Sequence, residues 1–177
     1  MAGSKETDKK LNHTLLFISS LFAKHNIPNW FIAYGTLLGI IRGNSCINND
    51  DDIDIVCNKE SYGKIKEILT ENNFTFQDCP NNPNNSKPYI IKTPKTNEFT
   101  TVDIYMATMD DNGNYNDMWN GVVWSECHVN NKLIEYEWQG TTLYLPNNYE
   151  TKLINRYGKA WKTPAKSKGP KPHKKII

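Results

Sequence analysis

"YGTLLGIIRGNSCINNDDDIDIV", residues 34–56, sets an acidic knot beside an apolar run. Asp50, Asp51, Asp52 and Asp54 crowd together there, and carboxylates that close repel one another. The alternation in "DIDIVC" predicts a strand with Asp52 and Asp54 on one face, roughly 6 to 7 Å apart, and Ile53 and Ile55 anchored on the other. A hard divalent cation, Mg²⁺ or Mn²⁺, would resolve the repulsion. Such ions prefer carboxylate oxygens and accept water and phosphate as remaining ligands. Without that context, an Asp-x-Asp is an acidic loop running into an ordinary strand.

The context is supplied elsewhere in the chain. Val102-Asp103-Ile104 repeats the apolar-Asp-apolar pattern on a second predicted strand and offers a third carboxylate. Three carboxylates on neighbouring strands suit one or two metals and the transfer of a phosphoryl or nucleotidyl group. Asp103 is also a candidate to take the proton of an attacking hydroxyl. Upstream, Gly35-Thr36 falls between a strand and a helix, where a bare backbone, a hydroxyl and a helix N-terminus favour a phosphate. Arg42, about two turns along that helix, could grip a phosphate with its planar fork or pair with the aspartates, and the pattern leaves both open.

Beyond this core, apolar spacing predicts helices over 7–26, over "KESYGKIKEILTENN" and over "NNYETKLINRYG", with Gly158 closing the last. "WFIAY", "YIIKT" and "FTTVDIYMAT" read as strands, and "KLIEYEWQGTTLYLP" as a hairpin turning near Gln139-Gly140. "QDCPNNPNNSKP" is expected to be a surface loop. The expected organisation is one domain over 1–165 and a flexible basic tail over 166–177. A hydrophobic fraction of 38% and five tryptophans argue for a folded chain. The net charge of +2 does not announce a nucleic-acid partner. No apolar run reaches the ~18 residues of a membrane span, and the first residues lack a signal-peptide core, so a cytoplasmic location is expected. The cysteines have no zinc-finger spacing and are expected to be free thiols.

The order Gly-Thr, helix, Arg, loop and Asp-Asp-Asp-Ile-Asp resembles the LicD family, which includes phosphocholine transferases and the fukutin-related ribitol-phosphate transferases. "YGTLLGIIRG" followed by "DDDIDI" carries the likeness. "VDIY" and "LPNNYETKLINRYGKAWKTP" extend it, so that it covers about residues 10 to 165. The loop "GNSCINN" departs from it, standing where the family carries basic and aromatic residues. The resemblance implies an α+β fold, a small mixed sheet flanked by helices as in nucleotidyltransferases. It implies Asp52, Asp54 and Asp103 as catalytic metal ligands for Mg²⁺ or Mn²⁺. Gly35 and Thr36 would then touch donor phosphates, with Asp50, Asp51 and Arg42 beside them. The implied partners are a CDP-linked donor, carrying choline, ribitol or a similar alcohol, and a hydroxyl acceptor on a glycan. Two alternatives stay open: nucleotidyl transfer to a protein, small molecule or RNA, and a non-catalytic nucleic-acid module using the Lys-rich tail. Tyr157 and Trp161 either stack on the donor's base or pin the last helix.

Overall fold

A nine-residue strand, β5 (Thr101–Met109), is the axis around which the other elements are arranged. The structure, a computed structural model, describes residues 7–78, 89–164 and 175–176. In chain order the elements before β5 are α1 (Thr7–Lys24), β1 (Trp30–Ile32), α2 (Tyr34–Gly43), β2 (Asp52–Asn58), a 3₁₀ turn (Lys59–Ser61), α3 (Tyr62–Glu71), β3 (Gln77–Asp78) and β4 (Ile90–Thr93). After it come β6 (Tyr115–Asp117), β7 (Val123–Trp124), β8 (Ile134–Trp138), β9 (Thr141–Leu145), α4 (Tyr149–Tyr157) and β10 (Lys175–Ile176).

One edge of β5 pairs in parallel with β2 along its length, and β1 lies antiparallel beyond β2. The other edge is shared: β4 pairs antiparallel with its first half and β6 with its last residues. The main sheet runs β1-β2-β5-β6-β7-β10, with β3 and β4 branching from β5, and β8-β9 forms a separate hairpin. The fold is thus α+β with a mixed sheet. The parallel β2–β5 pair is what sets Asp54 beside Asp103.

The helices form where the apolar spacing predicts them. Leu11, Leu15, Ile18 and Phe22 recur on one face of α1 and are buried. On β2, Ile53 and Ile55 are fully buried, so truncating either to Ala would cost about 2–5 kcal/mol. The hairpin packs against α1 and β1, with Tyr144 edge-on to Trp30. Trp138 Nε1 also donates to Asn44 O at 3.0 Å. Buried Cys46, Cys57 and Cys127 are free thiols, each pushed up to about 12, chiefly by burial.

Two details differ from the sequence expectation. "WFIAY" supplies only three strand residues, because Tyr34 already begins α2. Residues 166–174 and 177 of the basic tail, like 79–88 of the Asn/Pro-rich loop, lie outside the described residues. Lys175 and Ile176, however, pair in parallel with Val123 and Trp124, and Ile176 is buried. The Ser125 N–H and hydroxyl both donate to Ile176 O, at 3.0 and 3.1 Å, and tie that strand down. No helix among the described residues is long and apolar enough to cross a membrane.

Candidate active site

The strand register lines up a charged row. Asp54 on β2 faces Asp103 on β5, and Asp103 faces Lys92 on β4. Adjacent strands lie about 4.8 Å apart, so the two carboxylates are near neighbours. Both are buried, Asp54 to 7% exposure and Asp103 to 3%. Each has a partner: Lys92 Nζ lies 2.6 Å from Asp103 Oδ2. Asp54 Oδ2 accepts from the Gly35 N–H at 3.1 Å, and its Oδ1 accepts from the Tyr105 hydroxyl at 3.2 Å.

Gly35-Thr36 is built into this grip. Thr36 is buried, and its Oγ1 accepts from the Asp54 backbone N–H at 2.9 Å. The Ala33 N–H also donates to Asp54 O at 3.0 Å, so the start of α2 is tied to β2 at three points around one aspartate. Tyr34 sets the angle of entry. Its φ of 43° is costly for a bulky residue, and surrounding contacts hold it there. The hydroxyl donates to Asp117 Oδ2 at 2.9 Å, and the ring sits edge-on to Tyr105 and Trp124. A Cβ at Gly35 would meet Asp50 Oδ2 at 2.6 Å, so a larger residue there would displace the Asp50 carboxylate.

The loop before β2 holds the second acidic group. One oxygen from each of Asp50, Asp51 and Asp52 lies within 4.8 Å of the others. Asp51 is exposed, and its carbonyl accepts from Thr100 Oγ1 at 2.7 Å. Burial raises Asp50 above the usual carboxylate range. Asp52 is pushed up to about 7 by burial, then by the charges of Asp103, Asp50 and Asp51. Asp54 is driven well upward, first by burial and then by Asp52, Asp103 and Asp50, against the pull of Gly35. Burial also raises Asp103, although Lys92 opposes it.

This arrangement fits a divalent metal. The donors are hard oxygens, and their mutual repulsion calls for more positive charge than Lys92 supplies. Asp103 Oδ1 is buried with no hydrogen-bond partner, the condition of an atom that awaits a ligand.

The predicted residues are thus distributed between two groups. Asp54, Asp103, Gly35 and Thr36 meet at the strand row, whereas Asp50 and Asp51 gather with Asp52 just ahead of it, with Asp50 Oδ2 also facing Gly35. Asp52 links them, on the same strand as Asp54 and within the loop cluster. Arg42 is half-buried in the last turn of α2, and no ion pair joins it to these aspartates among the described residues. Trp161 is buried in the core, which suits the pinning role, while Tyr157 is half-buried and feels the charges of Asp54 and Asp50. Lys92, Tyr105, Tyr34 and Asp117 were not anticipated. Tyr105 had a readable signal, since it sits two residues beyond Asp103 on the same strand face.

The chain was compared with known proteins. A profile of the LicD/FKTN/FKRP nucleotidyltransferase domain matches residues 26–148. No sequence among the curated proteins matches. The lincomycin-bound crystal structure of the lincosamide antibiotic adenylyltransferase LnuA is similar with a TM-score of 0.55, at 15% identity, over 81% of this chain and 82% of that one. ANT(2'')-Ia in complex with adenylyl-2''-tobramycin gives 0.51 at 16% identity, over 85% and 77%. These likenesses concern the fold.

Proposed function

The chain belongs to the LicD/FKTN/FKRP family and is a transferase, and from that premise we propose that it moves a phospho-alcohol group from a CDP-linked donor to a hydroxyl, on a glycan. The observation that supports this most is the in-register Asp54–Asp103 pair, with Asp52 beside it and Gly35-Thr36 holding Asp54 in place. Asp52, Asp54 and Asp103 would hold Mg²⁺ or Mn²⁺, which when bound neutralises charge developing on phosphate oxygens and aligns an in-line displacement.

The chain's own groups do the rest. The acceptor oxygen attacks the distal phosphorus, the bond from that phosphorus to the bridging oxygen breaks, and CMP leaves with the electron pair. Asp103 assists removal of the acceptor's proton, with Lys92 holding its Oδ2 in place. Tyr105 and Gly35 keep Asp54 in one orientation, so no reorganisation is needed as charge shifts.

The same carboxylates could serve attack at the α-phosphorus, with NMP transferred and pyrophosphate released. LnuA, a nucleotidyltransferase by its description, shares the fold. A thermal-shift panel of CDP-choline, CDP-ribitol, CTP, ATP and UDP-sugars with Mg²⁺ or Mn²⁺ identifies the donor, since a ligand that binds the native state raises the melting temperature. Mass spectrometry of the acceptor then reads the group added. A phospho-alcohol increment supports the proposal; a nucleoside monophosphate increment replaces it with nucleotidyl transfer.

A further inference from the structure

Arg156, in the last turn of α4, is a half-buried cation with no carboxylate partner among the described residues. Its guanidinium carbon lies 4.6 Å from the centre of the Tyr34 ring. Its Nε is buried and has no hydrogen-bond partner. A buried donor left unmade costs free energy, so a fold that keeps one at a site's edge points to a ligand that completes it.

The position is at the edge of the carboxylates. Tyr34, under the guanidinium, immediately precedes Gly35, whose N–H holds Asp54. The Tyr34 ring also sits edge-on to Tyr105, whose hydroxyl reaches Asp54. Arg156 is therefore linked to Asp54 through the Tyr34 and Tyr105 rings. Its neighbour Tyr157, which hydrogen-bonds it, also feels the charges of Asp54 and Asp50. The Tyr34 ring supports the guanidinium, whose planar fork suits two-pronged recognition of a phosphate.

We propose that Arg156 binds the diphosphate of the donor at the edge of the carboxylate site. The role rests on the transferase reading and names a residue that the family-like motifs had suggested only through Arg42. Arg42 and Arg156 differ: the former makes no ion pair with the site's aspartates among the described residues, and the latter, although hydrogen-bonded to Tyr157, keeps its Nε unfilled. A cation beside the metal-binding carboxylates would help them hold a diphosphate.

The test is calorimetric titration of the full chain with inorganic pyrophosphate, CDP and cytidine, each in millimolar Mg²⁺, for wild type, Arg156→Gln, Arg156→Lys and Asp54→Asn. Arg156→Gln should weaken pyrophosphate and CDP binding about tenfold or more, as expected for losing charged hydrogen bonds, and leave cytidine binding and Mg²⁺ affinity unchanged. Arg156→Lys, which keeps the charge and spares the fold if Gln does not, should fall between. A lowered melting temperature with unchanged pyrophosphate affinity would assign Arg156 to packing on Tyr34 and overturn the proposal. If Asp54→Asn alone loses pyrophosphate, only the Arg156 role fails. If neither variant differs from wild type, the transferase site itself is misplaced.

Discussion

The two acidic groups differ in how they are neutralised. Asp54 and Asp103 are buried on strands and answered by protein groups: an amide, a phenol and a lysine. Asp50, Asp51 and Asp52 are gathered at the entrance to β2, with no ion pair to a cationic side chain among the described residues, and the charge of Lys92 offsets only part of the upward push on Asp52. The first group is positioned by the fold itself, while the second is left to attract charge from outside. Rigid placement and unmet charge are thus separated by a few residues of one strand, and Asp52 belongs to both.

The sharpest break of that contrast is Asp54→Asn. Transfer should fall by about a thousandfold or more, since several kcal/mol of charge stabilisation are lost, while circular dichroism stays native. Activity within a few-fold of wild type would move the chemistry off the strand row.

Lys92→Met attacks the protein-supplied charge. Removing one partner of a buried pair costs about 3–5 kcal/mol, and here about 2–3, because Lys92 is 34% exposed and solvent offsets part of it. Urea unfolding of Lys92→Met, Asp103→Asn and the double variant measures the coupling. Costs that simply add would mean that the pair does not act as a unit.

The loop group predicts a pH effect. Asp50, Asp52, Asp54 and Asp103 all hold protons more tightly folded than unfolded. The stability they contribute is present below the unfolded carboxyl value, about 4, and is lost as pH rises through the folded values, about 7 for Asp52. Chelated protein should therefore melt lower at about pH 8 than at about pH 5, and millimolar Mg²⁺ should restore the loss. Equal melting with and without Mg²⁺ at the higher pH would mean that protein groups already satisfy the loop. The smallest effect is expected from exposed Asp51→Asn, within about threefold in Mg²⁺ affinity.

Much of this was legible before the fold was known. Period-two alternation marked β2, although both of its faces are buried, and helical spacing marked α1, α3 and α4. The metal chemistry expected of the Asp-x-Asp strand came from its context, the second Asp-bearing strand and the family resemblance, rather than from residue type alone. Lys92 was not legible, because its value depends on the register of β4 against β5, which nothing in "YIIKT" specifies. Arg156 was equally silent: its proximity to Tyr34 arises only when α4 folds back across the start of α2. Short β6 and β7 are too brief for periodicity to mark, and Asp117 on β6 matters only through the distant Tyr34 hydroxyl.

Asp52 is the residue through which both acidic groups can be tested at once. Titration of Mn²⁺ followed by electron paramagnetic resonance, in wild type and Asp52→Asn, measures whether they form one metal site. Losing even a supporting partner of a ligand typically costs tenfold or more, so Asp52→Asn should weaken Mn²⁺ by at least about that much while the chain stays folded. Identical Mn²⁺ binding in the two proteins would contradict a metal-dependent transferase centred on these carboxylates.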